Sequence, residues 1–213
     1  CWDITYLPST VRGQFYYLYL IEDIYSRKIV GFEVYDREAG DLAARLLERT
    51  LLNENAIGAG VVLHSDNGAA MKSQTLRMKA YELGVLTSYS RPRVSNDNPF
   101  AESVFRTVKY APSFPEYGFD SLETARVWVN DFVRWYNNEH KHSGLNFVTP
   151  NERHTGKDAQ VLAQREEVLK NAKQAHPVRW NGRDVRDCSP VPPTALNPVR
   201  PSKQANPSKI LVA

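Results

Sequence analysis

Cysteine is scarce in this chain: Cys1 and Cys188 stand at opposite ends of 213 residues, and no Cys-x-x-Cys pair occurs. That spacing excludes a disulfide framework and a cysteine-based structural zinc site. Long apolar runs are lacking too. No stretch reaches the roughly 18 residues a membrane helix needs, and no charged, apolar, small-residue leader opens the chain. With 42% hydrophobic residues, the chain is expected to be a soluble, cytoplasmic protein with one sizeable core. It starts at Cys1 rather than Met, inside what reads as a strand, so an upstream segment is expected to be missing. No internal repeat is found.

An excess of one charge is also lacking overall, but not locally. The formal net charge is +3, yet residues 170–213 hold eight Lys or Arg against Asp184 and Asp187, a net of +6, which leaves −3 for residues 1–169. An acidic body with a basic tail suits a metal-binding centre that acts on a polyanion; a solvated, disordered tail is the other reading.

Periodicity supplies the element order. Three strand-like runs, 2–7, 15–23 and 27–35, are joined by links short enough to make them antiparallel neighbours. Asp41 is read as the cap of a helix carrying Leu42, Leu46, Leu47 and Leu51, which Gly58 and Gly60 break. Val61–Leu63 then reads as a buried strand, Ser73–Leu83 as a helix and Val85–Ser88 as a strand. Crossovers through helices imply parallel pairing, hence a mixed sheet. After a polar loop over Ser90–Asn98, Asn98 and Pro99 start a helix as cap and first residue. Another helix starts at Ser121 with Leu122, Ala125, Val129, Phe132, Val133 and Tyr136 on one face; Trp128, Trp135 and Tyr136 read as core. An amphipathic helix spans Asp158 to about Ala175, and prolines 190, 192, 193, 198, 201 and 207 then describe an extended tail.

Three carboxylates stand out on this frame. Asp3 interrupts the strand Trp2-Asp3-Ile4-Thr5, Asp66 follows an apolar strand at its carboxyl end, and Glu102 lies one turn into its helix. Taken singly each has an ordinary alternative: a solvent-facing strand aspartate, a residue of an Asp-Asn-Gly turn, and a glutamate complementing a helix dipole. Taken together, 35 residues separate Asp66 from Glu102, and Asp3 is on a strand able to neighbour the one leading to Asp66.

The ordered segments Trp2-Asp3-Ile4-Thr5, His64-Ser65-Asp66-Asn67-Gly68, Ser90-Arg91-Pro92, Asp97-Asn98-Pro99-Phe100-Ala101-Glu102-Ser103, Phe105, Lys109, Trp135-Tyr136-Asn137, His142, Leu145 and Thr149-Pro150 cover residues 2–150. The chain resembles, in these segments, the retroviral-integrase-type catalytic core of bacterial insertion-sequence transposases, the superfamily with two Asp and one Glu in its site. His140 stands where members often carry Arg. The resemblance implies an α/β, ribonuclease H-like fold, a five-stranded mixed sheet flanked by helices, with a core over 1–155, a C-terminal helix over 156–176 and a basic Pro-rich tail over 177–213.

It also implies a DNA transposase, a polynucleotidyl transferase in which Asp3, Asp66 and Glu102 converge. Crowded carboxylates raise one another's pKa unless cations neutralise them, so Mg²⁺ or Mn²⁺ is expected. Two ions roughly 4 Å apart would serve an in-line displacement at phosphorus, first with water and then with the freed 3′ hydroxyl. Lys109, seven residues after Glu102 and on the same helix face, is expected to meet DNA, as are Asn67, Arg91 and Arg93; His64 and Asn67 also read as a locally bonded histidine and a turn asparagine, and Lys109 as a surface lysine. A homo-oligomer, transposon-end and target DNA as partners, no membrane, and a missing upstream DNA-binding region complete the expectation. Two rivals are a non-catalytic DNA-binding or assembly module derived from a transposase, against which the intact acidic set speaks, and a cellular nuclease acting on RNA in hybrids, in which the 135–150 segment is not expected. His140 and His142, placed on different sides of a helix and without a cysteine nearby, do not suggest zinc.

Overall fold

A computed structural model describes residues 1–91, 97–194 and 196. Its centre is a five-stranded sheet in the order β3-β2-β1-β4-β5. The strands are β1 (Trp2–Pro8), β2 (Phe15–Glu22), β3 (Ile29–Tyr35), β4 (Val62–Ser65) and β5 (Leu86–Tyr89). The first three pair antiparallel, β4 runs parallel to β1, and β5 parallel to β4. The expected mixed sheet is therefore present, and β1 lies between an antiparallel and a parallel neighbour.

Strand alternation divides the core between the two faces. Tyr19 and Ile21 of β2, with Trp2 and Leu63, pack under α1 (Gly40–Asn53) and α2 (Gln74–Glu82) through Leu46, Leu47, Leu51, Leu76 and Ala80. Leu18 and Leu20, with Leu7 and Val34, pack on the other face under α3 (Pro99–Lys109) and α4 (Leu122–Asn138). Asp3 and Thr5 alternate with Trp2 and Ile4, so Asp3 belongs to the α3 face.

Local chemistry explains most element ends. Ser73 caps α2 through the Leu76 amide, and Ser121 with Thr124 forms a reciprocal capping box on α4. Gly58 and Gly60 stop the apolar pattern with φ of 73° and 71°, a conformation that favours glycine. Asp41 does not cap α1. The N-cap is Ala39, and Asp41 lies in the first turn, where its charge still complements the helix dipole. Tyr19 does the tying there: its hydroxyl accepts the Ala39 amide at 2.8 Å. Gly31 lets α1 approach β3, because a Cβ at this position would stand 2.0 Å from Thr50 Oγ1.

The Trp135-Tyr136-Asn137 segment has two separate uses. Tyr136 is buried, and Asn137 exchanges two hydrogen bonds with the main chain of Ile29, both at 2.9 Å, fastening the end of α4 to the start of β3. Trp135 corrects the core expectation: it is 36% exposed and lies against His140. Both histidines follow α4 rather than sharing a helix, because that helix ends at Asn138; their rings meet edge to face. After α5 (Pro150–His154), α6 runs Asp158–Ala175 and buries only Asp158 and Leu162. Beyond it the backbone is irregular but docked: Cys188 is buried with Leu145, Val148 and Leu162, Asn146 donates to the Ser189 carbonyl at 2.8 Å, and Arg27 reaches Thr194 at 3.2 Å. Among the described residues no helix is long and apolar enough to cross a membrane.

Candidate active site

Two carboxylates are placed by strand pairing. Trp2 of β1 lies beside Ser65 of β4 in a parallel register, so Asp3 and Asp66 each follow one member of that pair, and the Asp66 charge is felt at Asp3. Both follow residues that face α1 and α2, so both project toward α3.

Asp3 is half-buried and accepts the Ile4 amide on Oδ1 at 2.8 Å. Its carboxyl is pushed up from 3.8 to about 6, chiefly by burial, with the negative charges of Asp66, Glu102 and Glu38 adding to it and the Ile4 amide opposing. Burial is the main cause, and the smaller contributions show that Asp3 also feels both of the other carboxylates proposed from the sequence. Asp66 accepts a 2.6 Å bond from the Ser90 hydroxyl. Ser90 is itself fixed by donating its amide to the Ser65 carbonyl at 2.9 Å.

Glu102 enters from α3, whose inner face is Ala101, Val104, Phe105 and Val108; Glu102, Ser103, Arg106 and Lys109 are exposed. Its carboxylate makes no hydrogen bond among the described residues and is held only at its backbone. Arg27 adjoins the same turn, stacked on Phe100 at 3.9 Å. It adopts φ of 62°, which a non-glycine residue rarely takes. Nothing in the sequence announces this stacking, since it depends on how the β2–β3 turn meets the start of α3.

The loop leading to α3 is closed by an ion pair. Arg91 donates from its amide, Nε and Nη2 to the Asp97 carboxylate at 2.7, 2.9 and 2.7 Å. The guanidinium beside it holds the Asp97 carboxyl down to about 2. Arg91 keeps an exposed side chain, but its fork is engaged with Asp97. Arg93 lies outside the described residues. Asn67 is exposed and donates to the Ser90 carbonyl at 2.8 Å, which braces the turn after β4. His64 is buried and bonded to Ser88 at 3.0 Å, and burial lowers its pKa, which favours the local structural reading. Lys109 is exposed two turns after Glu102 on the same helix.

Ser90 is the residue whose role sequence reasoning missed. It falls within a matched segment, but that it meets Asp66 follows only from the β4–β5 register, in which Ser65 pairs with Tyr89.

The carboxylates fit a hard divalent cation in donor chemistry, each offering oxygens to a site where mutual repulsion is already felt. Among the described residues no three His, Cys, Asp or Glu side chains stand close enough to form a ready-made cage. None of the three lines the 380 Å³ cavity beside Ile21, Leu47 and His154.

Comparisons with known proteins agree with this architecture. Two models described as integrase core domain match residues 1–95 and 83–150. The transposase for insertion sequence element IS904 of Lactococcus lactis is 28% identical over 151 residues, covering 70% of this chain and 58% of that protein. A putative transposase for IS986/IS6110 of Mycobacterium tuberculosis is 27% identical over 158 residues, with 70% and 55% covered, and the transposase InsF for IS3A of Escherichia coli is 28% identical, with 70% and 51% covered. The chain thus spans a little over half the length of these curated relatives. Among solved structures, the HTLV-2 integrase catalytic core domain in complex with magnesium, in a trimeric form, aligns with a TM-score of 0.52 at 16% identity, covering 72% of this chain and 94% of that one. The Mos1 transposase catalytic domain with raltegravir and Mg aligns at 0.52 and 16%, covering 62% and 69%. At such identities these two speak for the ribonuclease H-like fold alone. The two family models overlap and together run through residues 1–150, so the chain belongs to the integrase core domain family.

Proposed function

We propose that this chain is the catalytic core of an insertion-sequence transposase that cleaves and joins DNA strands, with Asp3, Asp66 and Glu102 holding Mg²⁺ or Mn²⁺, two ions when fully loaded. The observation that carries the reading is the adjacency of Asp3 and Asp66 across the β1–β4 pair, with the Glu102 charge felt at the same carboxyl. When bound, divalent ions supply Lewis-acid activation of the attacking oxygen and stabilise the leaving oxygen at phosphorus. The protein's own part is to set Asp3 beside the end of β4 that carries Asp66 and to present Glu102 from α3. Ser90 orients Asp66 by its hydroxyl, and the Ile4 amide orients Asp3.

The substrate is a phosphodiester at a transposon end. Water attacks its phosphorus and displaces a 3′ hydroxyl, leaving a 5′ phosphate on the other fragment; that 3′ hydroxyl then attacks a phosphodiester of target DNA, forming the new strand joint as the target strand's own 3′ oxygen leaves with a proton. Lys109, Asn67, Arg91 and Arg93 are assigned to DNA binding; for Arg91 this requires release of at least part of its fork from Asp97. Structurally similar integrase cores occur in dimeric and trimeric forms, which supports a homo-oligomer, and relatives matched over only 51–58% of their length support an upstream DNA-binding region in the bacterial cytoplasmic protein. The test is Mg²⁺-dependent nicking and strand transfer on a labelled duplex of transposon-end sequence. Asp3→Asn, Asp66→Asn and Glu102→Gln should each abolish both while leaving the fold intact. Full activity in any one removes that residue from the site.

A further inference from the structure

Asn98 joins the two elements that bring Asp3 and Glu102 together. It stands at the N-cap of α3 and is 1% exposed. An asparagine there ordinarily turns its side-chain oxygen toward the free amides of the first turn, and here no such bond forms. Instead Nδ2 donates to the carbonyl of Trp2 at 3.3 Å, and Oδ1 is buried without a partner among the described residues. The main-chain carbonyl of Asn98 meanwhile accepts the Glu102 amide at 3.4 Å. One residue therefore grips the peptide leading into Asp3 with its side chain and the turn carrying Glu102 with its backbone. The Arg91–Asp97 clasp holds the residue just before it.

We propose that Asn98 is a positioning residue for the carboxylate set: its side-chain amide sets how far Glu102 stands from Asp3 and thereby governs capture of the divalent ion. The inference rests on the functional reading above. Without the tether, the first turn of α3 is free to pivot about its buried residues Val104, Phe105 and Val108, carrying Glu102 with it. An ion shared by residues of two elements feels that directly, since ligand sets tolerate only about 0.5 Å of misplacement.

Helix capping and positioning make opposite predictions for two substitutions. Asn98→Ser and Asn98→Gly both keep an acceptable N-cap, and both are too short to reach the Trp2 carbonyl. Each variant is compared with the wild-type chain in three measurements: melting temperature, calorimetric Mn²⁺ titration without DNA, and Mn²⁺-dependent nicking of a labelled duplex. The expected result is a melting temperature near that of the wild type, Mn²⁺ affinity weakened roughly 10- to 100-fold, and kcat lowered with the KM for DNA unchanged and activity partly recovered at high Mn²⁺. Wild-type Mn²⁺ affinity in both variants overturns the proposal, and so does a loss of melting temperature with unchanged Mn²⁺ affinity per folded chain, which assigns Asn98 to the fold alone. A wild-type chain that binds no Mn²⁺ overturns the functional reading, and the positioning role with it.

Discussion

Asp3 carries a stability cost that its proposed role explains. A carboxyl whose folded pKa lies above its unfolded value stabilises the fold while protonated, and that contribution is lost as pH rises through the folded pKa. Asp3 moves from 3.8 to about 6, so the metal-free chain should lose on the order of 1–3 kcal/mol between these two values. Glu22, raised by burial from 4.5 to about 8, extends the decline to higher pH; the difference between wild type and Asp3→Asn isolates the Asp3 part. We expect Asp3→Asn to be inactive yet to melt a few degrees higher than the wild type at pH 7 without divalent ions. Mg²⁺ should raise the wild-type melting temperature and leave that of the variant nearly unmoved. A melting curve that falls on substitution would place Asp3 outside the crowded site. Ser90→Ala should keep the fold and lower nicking by roughly tenfold or more, with turnover as the measurement, because Asp66 loses the hydroxyl that orients it.

At the scale of elements, the site depends on how closely helices approach the sheet. Gly31→Ala would set a methyl group against Thr50 and should destabilise the chain by about 1–3 kcal/mol, read in urea melts, without altering metal affinity. On α3, Lys109→Ala should weaken DNA engagement while sparing Mn²⁺ binding, since its ammonium would meet a phosphate rather than an ion. Calorimetry and strand transfer on the same variant decide this; unchanged strand transfer returns Lys109 to the solvated surface. Helix starts at Ser73 and Ser121 were legible in sequence because a hydroxyl three residues before a free amide is a local device, whereas α5, capped in the same way by Thr149, was not read as a helix. The start of α3 at Asn98 and Pro99 was legible as well, but the contacts that replace side-chain caps at Asp41 and Asn98 were not, because Tyr19 ties the start of α1 and Trp2 engages the Asn98 side chain. Both partners are distant in sequence.

For the molecule as a whole, charge and packing divide the C-terminal region differently. The net +6 over residues 170–213 reads as one basic tail, yet its portion up to Thr194 is docked through Cys188, Ser189, Val191 and Thr194. Two truncations separate the contributions. A chain ending at Thr194 lacks Arg200, Lys203 and Lys209; it should keep its stability and bind duplex DNA with a log–log salt slope shallower by up to roughly 0.9 for each phosphate no longer neutralised. A chain ending at Ala175 should in addition melt lower, because Leu145, Val148 and Leu162 lose Cys188 as a neighbour. Equal salt slopes for the full chain and the chain ending at Thr194 would make the last residues passive toward DNA.

Sequence alone determined the order and type of the main elements and the mixed sheet, because periodicity, turn residues and chain spacing are local quantities, and resemblance to a family singled out Asp3, Asp66 and Glu102 as the proposed set. Tertiary structure decided what those residues touch. The β1–β4 register puts Asp3 beside Asp66, the β4–β5 register brings Ser90 to Asp66, and the meeting of β1 with α3 turns Asn98 from a helix cap into a tether. The same packing engages the fork of Arg91, the expected phosphate ligand, with Asp97. The physical reason is the same throughout: a polar side chain takes the strongest partner within reach, and its reach is known only once distant segments have packed.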